Sequence, residues 1–183
     1  AHLLVFISKT IQLPVQFVVP VIINLLKMTS NYIGIDAQKA AELNSKLNAL
    51  LSAYQVFYMN VRGFHWNITG EKFFELHVKF EEIYDNTLLK IDEIAERILT
   101  LGGTPIHGFS DYLRHSEIAE ITNCSNGKEA VQQVLEGFGV LIRQQRQLLE
   151  LAADARDEAT NSLMSDYIRE QEKLVWMFSA YLR

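Results

Sequence analysis

The sequence predicts an all-α protein, a four-helix bundle with one long crossover that carries a short extra helix. Three observations predict it. The 183 residues include only three prolines and nine glycines, few for the turns of a sandwich or barrel. Helix-favouring Leu, Ala, Glu, Lys, Gln and Arg are plentiful. Apolar residues recur at steps of three and four in four long stretches, grouped as two pairs around a connection of about 25 residues.

The first stretch has Asp36 as its N-cap and an apolar stripe of Ala40, Leu43, Leu47, Leu50, Tyr54, Phe57, Val61 and Phe64. Asn67, Thr69 and Gly70 are turn formers and break it. A second helix is predicted from Glu71 to Thr100, where "GGTP", Gly102 to Pro105, is a strong stop. The apolar piece Phe109 to Leu113 supplies the short helix of the crossover. A third long helix opens at Asn126, with Glu129 three residues on as in a capping box. Its stripe is Val131, Val134, Phe138, Leu141, Gln145, Leu148 and Ala152. The fourth carries Leu163, Tyr167, Leu174, Met177, Phe178 and Tyr181. Trp176 reads as core; Trp66 reads equally as core or as part of a site.

One domain suffices for this length, spanning 28–183. Residues 1–27 differ in character. They are rich in β-branched residues and contain Pro14 and Pro20, with Lys9, Gln12, Gln16 and Asn24 interrupting any apolar run. That is a poor membrane span and a poor signal peptide. The expectation is an apolar N-terminal extension outside the native fold, which begins near Met28. Net charge is −5, with no basic tract, so phosphate backbones are repelled overall. The single cysteine, Cys124, excludes an internal disulfide and fits a reducing, cytoplasmic compartment.

Four residues of metal-binding type stand out. His65 and His77 lie 12 positions apart across the predicted turn, so an antiparallel helix pair makes them neighbours. Asp92 and Glu96 follow at a spacing of four, but Asp92 is 15 residues beyond His77 on one helix. That is roughly 22 Å along the axis at about 1.5 Å per residue, far beyond ligand bonds of about 2 Å. Yet His77, Glu81, Asp92 and Glu96 stay within a sector of roughly 100° on that helix. Two copies of the helix, packed antiparallel about a two-fold axis between Asn86 and Thr87, set His77 against Glu96 and Glu81 against Asp92 in a single register. Each dimer then carries two equivalent sites, each with His65, His77 and Glu81 from one chain and Asp92 and Glu96 from the other. Mixed imidazole and carboxylate ligands suit Fe²⁺, Zn²⁺ or Co²⁺ better than Ca²⁺ or Mg²⁺. The rival reading is a solvated face, with Lys90 and Arg97 as partners for the two carboxylates.

"FHWNITGEKFFELHVKFEEIYD", then "IDEIAERILTLGGTP" and the closing "EKLVWMFSAYL", resemble the signature of the Dps family, the mini-ferritins. The resemblance covers roughly residues 30–183. It implies a ferritin-like bundle and a hollow dodecamer, with ferroxidase sites at two-fold interfaces made of His65, His77 and Glu81 and the partner subunit's Asp92 and Glu96. It also implies Fe²⁺ oxidation, usually with hydrogen peroxide, ferric mineral storage, and Trp66 near the iron as a radical interceptor. Zn²⁺ is the expected competitor for such ligands. Acidic residues near the start of the last helix line iron-entry pores in relatives, and Asp157, Glu158 and Asp166 are the nearest here. The alternative function is DNA binding and nucleoid compaction with little dependence on iron. Relatives that compact DNA often use a Lys-rich tail, whereas Met28 onward contains only two lysines before Leu47.

Overall fold

The computed structural model describes residues 33–183; the sequence expectation for residues 1–27 lies outside them. The described residues form four long helices and one short one. They are α1 (Ala37–Asn67), α2 (Phe73–Thr100), α3 (Phe109–His115), α4 (Gly127–Ala155) and α5 (Glu158–Leu182). The predicted class and element order hold. No helix among the described residues is long and apolar enough to cross a membrane.

Each boundary has a local cause. Asp36 caps α1 by accepting from the amides of Gln38 and Lys39 at 3.0 and 3.1 Å. Past Asn67 the chain turns extended at Ile68, and the Thr69 amide bonds the Ser125 carbonyl at 3.0 Å, which ties the turn to the crossover. α2 starts two residues later than predicted, because the Phe73 amide closes a turn onto the Gly70 carbonyl, and Gly70 has a φ of 104°. It ends where Gly102 adopts a φ of 80° and the Gly102 and Gly103 amides return to the Leu99 and Ile98 carbonyls. Asn126 caps α4 through its side chain, and Asp157 caps α5.

α1 is the central element and packs on α2, α3 and α4, while α4 packs on α5. Every residue of the predicted α1 and α4 stripes is buried. Phe57 packs on Phe138 with ring centroids 5.0 Å apart and planes tilted by 48°, an approach that Gly137 permits. Two side-chain amides pin the crossover to α1. Asn48 bonds the Thr104 carbonyl and the Ile106 amide, and Asn60 bonds the Ala119 carbonyl and the Ile121 amide. The polar middle of the core holds the Tyr54 hydroxyl, which accepts from Gln145 and Gln171. Burial pushes the Tyr54 and Tyr167 phenols far up, so both stay protonated.

Not every expected core residue is inside. Trp176 is 68% exposed, and Met177 and Tyr181 of the α5 stripe also reach solvent; Trp66, for which core and site were equally open, is 56% exposed. Asp157 is no pore-lining acid either. It is buried between the Arg97 guanidinium, at 2.6 Å, and the Thr160 amide and hydroxyl.

Candidate metal centre

The turn between α1 and α2 brings His65 and His77 into direct contact. Their rings stack with centroids 3.7 Å apart and planes inclined by 19°. Each Nδ1 lies on the other residue's backbone carbonyl, at 2.8 Å from His65 and 2.9 Å from His77. A carbonyl oxygen only accepts, so each Nδ1 carries the proton and donates. In a neutral ring held this way Nε2 is the lone-pair nitrogen, the form that binds a metal. Phe73 stacks on the outer face of His77 at 5.0 Å, and Tyr84 meets His65 edge-on at 5.3 Å. The pair is thus clamped by rings and by two reciprocal hydrogen bonds.

Glu81 sits one helical turn beyond His77, exposed, with the Tyr84 hydroxyl donating to it at 3.4 Å. Asp92 and Glu96 are also exposed, farther along the same uninterrupted helix. Neither makes a hydrogen bond or ion pair with any described residue. Lys90 and Arg97, the partners expected for them, are engaged elsewhere. Lys90 bonds Glu170 at 2.7 Å, and Arg97 bonds Asp157. The pairing of the two carboxylates with Lys90 and Arg97 is therefore not formed, and both stand exposed. Among the described residues, no three His, Cys, Asp or Glu side chains of one chain form a metal-binding group. Within one chain the structure brings together His65 and His77, with Glu81 a turn away, and leaves Asp92 and Glu96 remote.

Trp66 stands beside this pair at the surface, with the Arg62 guanidinium 4.9 Å from its ring. Arg62 also lies over Tyr58 and Tyr84, at 5.7 and 5.8 Å, and donates to the Tyr58 hydroxyl. The sequence reading missed Tyr84 and Arg62. Their signal was spacing: Tyr84 is three residues past Glu81, and Arg62 three before His65, each on the site's side of its helix. His107 and His115 are exposed, and Cys124 is buried with its thiol pushed up by burial and by Glu129.

The ferritin-like domain family matches residues 41–183. The chain is 42% identical over 148 residues to the DNA protection during starvation protein of Porphyromonas gingivalis, covering 81% of this chain and 93% of that one. The solved Dps protein of Vibrio cholerae O1, described as a member of a broad superfamily of ferritin-like diiron-carboxylate proteins, superposes with a TM-score of 0.83. It is 56% identical, over 85% of this chain and 98% of that one. The chain belongs to the Dps family. Dps from Staphylococcus aureus superposes at 0.76 with 31% identity, over 78% of this chain and 96% of that one, so the Dps fold persists where sequence has diverged.

Proposed function

We propose that this protein is a ferroxidase and iron-storage subunit of a cytoplasmic Dps cage. In this reading it oxidises Fe²⁺ with hydrogen peroxide at centres shared between two protomers. The observation that carries the reading is the division of the ligand set. A tautomer-fixed imidazole pair stands at one end of a rigid helix, and two carboxylates without partners stand at the other. The kinship to a diiron-carboxylate protein supports iron as the substrate metal.

In the proposed centre, His65, His77 and Glu81 of one protomer hold ferrous iron together with the partner subunit's Asp92 and the partner subunit's Glu96. Three carboxylates favour the higher charge of Fe³⁺ and so help the electron leave. Two ferrous ions give one electron each to one peroxide. The O–O bond breaks, two protons are taken up, and two waters form. Glu81 and Asp92 are placed to pass those protons and to receive the ones that ferric hydrolysis later releases. Trp66, exposed beside His65, intercepts one-electron oxidants that escape. Twelve such chains enclose the ferric mineral. Zn²⁺ competes for the same ligands. With a net charge of −5, the chain protects DNA by consuming iron and peroxide rather than by charge-driven binding to the duplex.

The test is a variant carrying both His65→Ala and His77→Ala. Losing two ligands should cost more than the ~10–100-fold typical of an outer-shell partner, while assembly size stays unchanged. Wild-type rates of peroxide-driven iron oxidation in that variant would refute the assignment.

A further inference from the structure

Tyr167 on α5 is 4% exposed, and its hydroxyl donates to the Glu93 carboxylate of α2 at 2.5 Å. A phenol donating to a carboxylate makes a charge-assisted hydrogen bond. Glu93 adjoins Asp92, so one backbone unit separates the phenol's acceptor from a proposed iron ligand. The other nearby phenols are built differently. The Tyr54 hydroxyl, whose ring meets Tyr167 at 6.2 Å, accepts from two amides and donates to no described residue. Tyr84 reaches Glu81 only at 3.4 Å and is half-exposed. Around the Tyr167 ring lie the Glu93 and Glu170 carboxylates and the Lys90 ammonium, 5.0 Å from its centroid. Two negative charges against one positive favour removal of an electron.

A neutral phenol loses an electron readily only if its proton leaves with it, because the phenol cation is a very strong acid. A carboxylate already in the hydrogen bond receives that proton without movement of either side chain. The inference rests on the iron-oxidising reading above. We infer that Tyr167, with Glu93 as its proton acceptor, supplies the second electron when a centre holding a single ferrous ion meets peroxide. The ferrous ion gives one electron and Tyr167 the other. The O–O bond breaks to give two hydroxides, the phenolic proton moves to Glu93, and Fe³⁺ and a neutral tyrosyl radical remain. The next ferrous ion reduces the radical, and Glu93 returns the proton. Hydroxyl radical is thereby avoided at a half-filled centre, and the intermediate radical sits out of solvent.

The experiment loads anaerobic protein with one Fe²⁺ per centre, adds peroxide, and freezes the mixture for electron paramagnetic resonance. The expected result is a tyrosyl signal in the wild type that is lost in Tyr167→Phe and weakened in Glu93→Gln. It should persist in Tyr54→Phe. Oxidation with two Fe²⁺ per centre should be normal in Tyr167→Phe, showing that this variant is folded. Iron oxidation without a tyrosyl signal, or a signal unchanged in Tyr167→Phe, overturns this inference alone. A wild type that oxidises no iron with peroxide overturns the proposed function itself.

Discussion

Asp92 and Glu96 are left open because neighbouring residues on α2 are turned to other tasks. The Arg97 guanidinium is committed to the buried Asp157, and the Lys90 ammonium, 5% exposed, to Glu170 and Asn86. Burial pushes the Asp157 carboxyl up, but its bonds from Arg97 and Thr160 outweigh that and hold it below the usual carboxylate range. A carboxyl depressed in the folded state adds stability that is fully present above its unfolded value of about 4 and is lost as pH falls through the folded one. Asp157→Asn leaves the Arg97 charge buried without its counter-ion, which should cost about 3–5 kcal/mol at neutral pH. Denaturant titrations from neutral to strongly acidic pH check both points, since the gap between variant and wild type should close only in acid. None of this was visible in the sequence. Asp157 stood there as one of three pore candidates, because nothing in the string shows that Arg97, 60 residues away, folds onto it. The histidines were legible as a pair, but not their reciprocal backbone bonds, which depend on how one turn closes.

The helices themselves were legible almost residue by residue, because a 3.6-residue stripe and a capping side chain are both local signals. The eight apolar positions read on α1 are all buried, and Asp36 and Asn126 cap the helices they were expected to cap. The exceptions are informative. Trp176 and Met177 were expected in the core, yet they stand at the surface. Periodicity marks a face that wants covering and does not say whether the same chain covers it. Helix packing is tested at two glycines of α4. A Cβ on Gly137 would lie 2.6 Å from the Phe57 ring, so Gly137→Ala forces α1 and α4 apart and should destabilise by about 1–3 kcal/mol. Gly139 has nothing within 4 Å of such a Cβ, so Gly139→Ala should stabilise the helix by about 0.5–1 kcal/mol. Thermal melts of the two variants should therefore move in opposite directions.

In the whole molecule, each proposed centre needs two protomers to complete it. α2 is a single helix from Phe73 to Thr100, and no bend brings its carboxylates back to its own histidines. Two crippled chains should consequently repair each other. One carries His65→Ala with His77→Ala, the other Asp92→Ala with Glu96→Ala, and each alone should be inactive. In a mixed two-fold dimer, one of the two centres receives intact histidines from one protomer and intact carboxylates from the other. The most direct measurement is the peroxide-driven iron oxidation rate after the two variants are unfolded and refolded together in equal amounts. Random pairing makes half the dimers mixed with one working centre each, so the mixture should recover about a quarter of wild-type activity. A mixture as inactive as either variant alone would contradict the shared centre.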